Sequence, residues 1–212
     1  MANISNSTAN TLVTGTSSAD SIYNSGQKVT INAGSGNDTI SNQANYVTIK
    51  AGAGDDDVYN GGYPVVVYGE AGNDTIRIRY YDSTANGGIG DDLIYLNSNN
   101  KGNVVEYANG DGNDTVDGFG SSSLEFNNII KIVNGTVSSI TGSGNDVCLT
   151  VGTGSIFLKN VKDTPVQYKE ENASLKTIYY DGNKVYDAIC RSRNSSKITG
   201  TDLDDLIYDS TG

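Results

Sequence analysis

The chain has 212 residues, enough for one domain or one elongated repeat unit. It carries no His, no Trp, three Phe and one Met; this excludes Ser-His-Asp and Cys-His catalysis, a zinc site built on His, and a bulky aromatic core. Lys and Arg number 14 against 25 Asp and Glu, a net charge of −11, which argues against nucleic acid as a partner, and no apolar run is long enough for a membrane span.

Residues 1–11 form a lead segment without the basic and apolar regions of a cleavable secretory signal. From Leu12 onward the chain repeats. The aspartates Asp20, Asp38, Asp56, Asp74 and Asp92 recur every 18 residues, and Asp114 follows after 22. Each closes a small-residue turn, as in Ala33-Gly34-Ser35-Gly36-Asn37-Asp38, and an apolar residue stands two positions later: Ile22, Ile40, Val58, Ile76, Ile94, Val116. Nine and seven residues before the aspartates stand Val29 and Ile31, Val47 and Ile49, Val65 and Val67. That alternation is a strand with one buried face. One period therefore reads strand, glycine turn, short strand, plain turn, which is one coil of a solenoid. The fourth coil is weaker, with Ser83 and Ala85 at its ladder positions. The four extra residues of the fifth are expected as a loop around Asn97–Asn103.

The turn chemistry points to calcium. Glycine admits positive φ, so the backbone can turn its carbonyls inward, and a hard divalent cation takes about six to eight oxygens. One turn offers about half of these, and the equivalent turn of the next coil supplies the rest. Magnesium demands a tighter octahedron and keeps its waters, so carbonyl-rich turns favour calcium.

Gly87-Gly88-Ile89-Gly90-Asp91-Asp92-Leu93-Ile94 matches the nonapeptide Gly-Gly-x-Gly-x-Asp-x-apolar-x in full, and the other turns keep part of it. On these residues the chain resembles the RTX (haemolysin-type) calcium-binding repeat family over residues 12–116. The resemblance implies an all-β, right-handed parallel β-roll, with each ion between like turns of neighbouring coils. Carried over, the first ion would lie between Thr16, Ser18 and Asp20 on one side and Ala33, Ser35 and Asp38 on the other. The second would take Gly34, Gly36 and Asp38 with Ala51, Ala53 and Asp56. The third would take Gly52, Gly54 and Asp56 with Gly69, Ala71 and Asp74. The fourth would take Glu70, Gly72 and Asp74 with Gly87, Ile89 and Asp92. The last would take Gly88, Gly90 and Asp92 with Asn109, Asp111 and Asp114. RTX rolls usually carry such a turn every nine residues. Here the alternate turns read SNQANY, NGGYP and YDSTAN, so about five ions are expected, along one edge only, with Val and Ile packing holding the other.

The β-roll is placed at residues 12–118 and an antiparallel β capping segment at 119–170, with hairpin turns at Asn134-Gly135 and Gly152-Thr153-Gly154. Gly142, Gly144 and Asp146 offer a further ion position. A hairpin or linker around Asp181-Gly182 fills 171–196. Residues 197–212 echo 12–26 at an offset of 185, pairing Asp205 with Asp20, as if a further repeat block begins. Cys148 and Cys190 are too few for a disulfide framework.

The leading functional expectation is a non-enzymatic, calcium-folded structural module of a secreted bacterial protein, at the cell surface or outside the cell, with neighbouring repeat modules as partners. The alternative is an adhesin segment holding a surface glycan or protein ligand. It draws on Arg77, Arg79, Tyr80 and Tyr81 and on Tyr23, Tyr59 and Tyr95 at one recurring position. An enzyme such as a β-helical lyase would need a base beside a charged groove. The Arg77/Arg79/Tyr80 group is all the sequence offers.

Overall fold

A computed structural model describes residues 1–97, 101–120, 127–190 and 205–208, the last four and 187–190 as backbone only. Two parallel sheets face each other. One carries β1 (Asn3–Asn6), β3 (Ser21–Asn24), β5 (Thr39–Asn42), β7 (Asp57–Asn60), β9 (Thr75–Ile78), β11 (Leu93–Leu96) and β13 (Asn113–Asp117), in that order. The other carries β2 (Leu12–Thr14), β4 (Thr30–Ser35), β6 (Val47–Ala53), β8 (Val65–Ala71), β10 (Thr84–Ile89), β12 (Val104–Ala108) and β14 (Ile129–Asn134). The chain alternates between sheets at each turn, so each pair of strands is one coil. Among the described residues no helix is long and apolar enough to cross a membrane.

The register explains the narrow core. Ile22, Ile40, Val58, Ile76, Ile94 and Val116 stack in one sheet, each 1% exposed or less. Val13, Ile31, Ile49, Val67, Ala85 and Val105 stack opposite them. Burial of each aliphatic side chain stabilises the fold by about 1.5–3 kcal/mol. Small β-branched residues fill a gap too thin for a row of aromatic rings.

The edge opposite the aspartates is built differently from the expectation. Asn6, Asn24, Asn42 and Asn60 form a ladder in which each Nδ2 donates to the next Oδ1 at 2.8 Å. Nδ2 of Asn24, Asn42 and Asn60 also donates to the carbonyl of Gly26, Ala44 and Gly62, and Oδ1 accepts from the amide of the same residue. Asn24, Asn42 and Asn60 are fully buried. Side-chain amides, with Val and Ile beside them, hold this edge. In the next two coils Ile78 and Leu96 take over the position.

The inserted residues also fall differently. Thr84 pairs with Val104, an offset of 20, whereas Leu93 pairs with Thr115, an offset of 22. Two residues therefore enter between β11 and β12, and two more enter the turn that ends at Asp114. Residues 98–100 lie outside the described residues.

Parallel stacking continues past residue 118, because β14 pairs with β12 and then with β18 (Pro165–Glu170). The other sheet ends in an antiparallel set, β15 (Val137–Ser143), β16 (Asp146–Val151) and β17 (Gly154–Leu158), with β17 laid parallel on β13. The Gly152-Thr153 turn joins β16 to β17, as expected. Asn134-Gly135 is not a hairpin: it carries the chain from one sheet to the other, and β14 and β15 do not pair. β18 continues antiparallel through β19 (Lys176–Tyr180) and β20 (Val185–Cys190), so the expected hairpin at Asp181 forms and extends the same sheet. Here Asp181 accepts the amides of Asn183 and Lys184. β21 (Asp205–Tyr208) then pairs parallel with β20. The rest of the 197–212 echo, and the side chain of Asp205, lie outside the described residues.

Candidate metal row

Six aspartates line one edge, each 3% exposed or less. A single hydrogen-bond scheme links them. The amide of Asp20 donates to Asp38 Oδ1 at 2.6 Å, that of Asp38 to Asp56 at 2.6 Å, and that of Asp56 to Asp74 at 2.8 Å. Asp74 continues to Asp92 at 2.7 Å and Asp92 to Asp114 at 3.1 Å. The second oxygen, Oδ2, of Asp38, Asp56, Asp74 and Asp92 is buried and has no hydrogen-bond partner. Four orphaned carboxylate oxygens in file are costly unless a cation or proton meets them.

Their acidity records this. Burial, with neighbouring carboxylates adding to it, pushes Asp56 and Asp74 up to about 7, Asp92 to about 6 and Asp114 to about 8. Burial also raises Asp38. Asp20, at the start of the row, goes the other way. Its Oδ1 accepts the Ala2 amide at 2.5 Å and its Oδ2 the Thr16 amide at 2.6 Å, and these bonds, the Ala2 bond foremost, hold its carboxyl below the usual range.

Backbone oxygens gather in the same gaps between coils. Glycine positions report this, because a Cβ added there would collide with a carbonyl. A Cβ on Gly52 would stand 2.0 Å from the carbonyl oxygen of Gly34, and one on Gly72 2.2 Å from that of Gly54. Carbonyls at the second and fourth turn positions therefore face the following coil. Those at the first position face back: a Cβ on Gly69 would lie 2.3 Å from Gly87 O and 2.2 Å from Asp74 Oδ2. Third-position carbonyls of Ala53, Ala71 and Ile89 already accept the amides of Gly36, Gly54 and Gly72 at 2.7–2.8 Å. Carbonyls of two successive turns thus face each gap. Among the described residues no three carboxylate or thiol side chains are placed together to hold a metal ion, on the row or off it, so an ion in these gaps would have to draw mainly on backbone oxygen.

The last turn departs from the expected set. Carrying the β10–β12 register on by one residue sets Tyr107 opposite Gly87, in the first position. Its buried hydroxyl donates to Gly112 O at 2.6 Å. Asn109, displaced by the two inserted residues, turns instead to the cap, where its amide donates to Asn134 O and its side chain accepts from the Thr153 amide. Asp111 keeps its place, its carbonyl accepting the Gly90 amide. Beyond Asp114 the register brings Ile156, and the row ends. Gly142, Gly144 and Asp146 lie off the row in the β15–β16 hairpin, where the Asp146 carboxylate takes Lys159 Nζ at 3.0 Å and the Asn160 amide at 2.9 Å.

A second ladder was not anticipated. The exposed neighbours Asn37, Asp55, Asn73 and Asp91 accept the amide of the coil after, not before, at 2.8–3.2 Å, the last from Asn113. The recurrence of Asn or Asp before each row aspartate from Asp38 to Asp114 was its sequence signal.

The recurring tyrosines of the adhesin alternative do not stack. Ser41 and Arg77 separate Tyr23, Tyr59 and Tyr95 in the register. Arg77 pairs with Asp57 and lies over Tyr95, and Arg79 donates to Tyr59. Tyr63 packs on Tyr80 and Tyr81, with centroids 5.8 and 4.6 Å away.

No family profile matches the chain, and no curated protein matches it. Among solved structures it is similar to the extracellular lipase LipA from Serratia marcescens, at 16% identity and a TM-score of 0.41. The match covers 71% of this chain and 38% of that enzyme, and it is too slight to carry function from one to the other. What is established is the architecture: an all-β parallel solenoid with 18-residue coils and antiparallel strands toward its C-terminal end.

Proposed function

We propose that this chain is a calcium-binding structural module of a secreted RTX-type protein, whose solenoid folds when it meets extracellular calcium. One observation carries the reading: four buried carboxylate oxygens without partners stand in file among inward-facing carbonyls. The gaps between Asp38 and Asp56, Asp56 and Asp74, and Asp74 and Asp92 have such an oxygen on both sides. These three are the strongest sites, with weaker ones at the gaps ending in Asp20 and Asp114. When bound, calcium supplies the charge that lets the row stay ionised. The chain itself supplies the register, the glycine turns and the exclusion of water.

Extracellular modules bind calcium at about 0.1–1 mM, which suits folding outside a cell. Circular dichroism of ion-stripped protein, titrated with calcium, tests the reading. The strand signal should rise with calcium and vanish on chelation; a full strand spectrum in chelator at pH 8 would refute it.

A second reading, saccharide binding, rests on the Tyr63, Tyr80 and Tyr81 corner. A glycan array comparing wild type with Tyr81→Ala decides it, and absence of any sugar-dependent signal ends it.

A further inference from the structure

We propose that the side chain of Glu70 turns inward to become a carboxylate ligand for the ion between the turns of Asp56 and Asp74, strengthening that gap. This rests on the cation-binding reading and assigns Glu70 a role beyond its backbone carbonyl.

The second turn position forms a column in register: Gly34, Gly52, Glu70, Gly88. All four hold positive φ, at 115°, 117°, 78° and 102°. After Thr16 at its head, Glu70 brings the only side chain to that column. Among the described residues it is the only non-glycine with positive φ in the six turns that end at the row aspartates. L side chains disfavour this backbone conformation, and strain retained at one position points to a use for the side chain.

The neighbouring glycines show where it begins. A Cβ on Gly34 would aim at Thr16 O, on Gly52 at Gly34 O, and on Gly88 at Glu70 O, each the second-position carbonyl one coil earlier. By the same geometry Glu70 starts toward Gly52 O, in the gap that Asp56 and Asp74 flank. Gly52 and Gly88 leave it no side-chain neighbour in its column. The carboxylate is exposed and makes no hydrogen bond or ion pair in the structure. Asp56 and Asp74, 3% and 1% exposed, each present a buried Oδ2 without a partner. Turned inward, the Glu70 side chain would add a third carboxylate to this gap, and ligand charge sets affinity at such sites.

The test is calorimetric calcium titration of the full chain, in about 0.5 M KCl, where the Debye length is roughly 4 Å and long-range charge effects are screened. Glu70→Gln keeps size and backbone and removes only the charge. It should weaken one site about tenfold and leave the others unchanged. Glu171→Gln, an exposed carboxylate in the cap, should change nothing. Glu70→Gly relieves the backbone strain yet should still weaken that site. Strand signal at saturating calcium confirms that each variant folds. Glu70→Gln within twofold of wild type at every site, or Glu70→Gly binding more tightly, overturns the proposal while the cation reading stands. A wild type that binds no ion overturns both.

Discussion

The same substitution, Asp to Asn, should have opposite effects at two positions of one row. Asp74 has an orphaned Oδ2 and a carboxyl raised to about 7. Against about 3.9 in an unfolded chain, ionised Asp74 disfavours the ion-free fold by on the order of 4 kcal/mol at pH 8. Asp74→Asn removes the charge and keeps an acceptor for the Asp56 amide, so the ion-free fold should gain about 2 kcal/mol or more. Asp20 has both oxygens engaged by amides. Asn there turns an NH2 toward one of those donors, so the ion-free fold should lose about 1–3 kcal/mol. The assay is strand signal in chelator as trimethylamine N-oxide, which favours compact states, is raised. Asp74→Asn should fold at a lower osmolyte concentration than wild type and Asp20→Asn at a higher one. In calcium the order changes, because Asp74→Asn weakens the two gaps it borders. Equal shifts of both variants in chelator would refute the orphan-oxygen argument.

Acid should substitute for ions. Asp56, Asp74, Asp92 and Asp114 have folded carboxyls at about 7, 7, 6 and 8, so between about pH 4 and 8 the ion-free fold binds more protons than the unfolded chain and its stability falls as pH rises. Ion-stripped protein should gain strand signal from pH 8 to pH 5, and a loss over that range contradicts the assignment. Asn42→Ala breaks four buried hydrogen bonds in the middle of the asparagine ladder and should cost about 2–4 kcal/mol, read as a lower denaturant midpoint in calcium. Gly52→Ala forces a Cβ to 2.0 Å from Gly34 O at φ +117°. It should cost at least about 2 kcal/mol and weaken the adjoining calcium sites, and calorimetry showing wild-type affinity would mean that the carbonyls do not face the gap.

Much of this architecture could be read from spacing alone. An 18-residue period with Val and Ile at fixed places admits few other folds, since a one-residue slip would expose every buried side chain. The asparagine ladder had the same signal, with Asn24, Asn42 and Asn60 also 18 apart. Polarity hid it, because Asn in a turn ordinarily faces water, and only pairing with its own kind and its own backbone makes burial tolerable. The place of Asn109 could not be read. Counting back from Asp114 assumed a turn of standard length, and two of the inserted residues lay inside that turn. Likewise the contrast between Asp20 and Asp38 depends on whether an amide reaches Oδ2, which no residue pattern encodes.

The inserted residues have a further consequence. Although the fifth coil is longer, the Asp92 amide still reaches Asp114 Oδ1, 22 residues on. Contour length and edge alignment are therefore independent: the perimeter of a coil can grow while the aspartate edge acts as a spine of constant pitch. Foreign sequence spliced between Leu96 and Val104 should lengthen one coil and leave the file of carboxylates in step. A long array of such coils could vary its outer surface freely, loop by loop, around an unvarying seam of carboxylates.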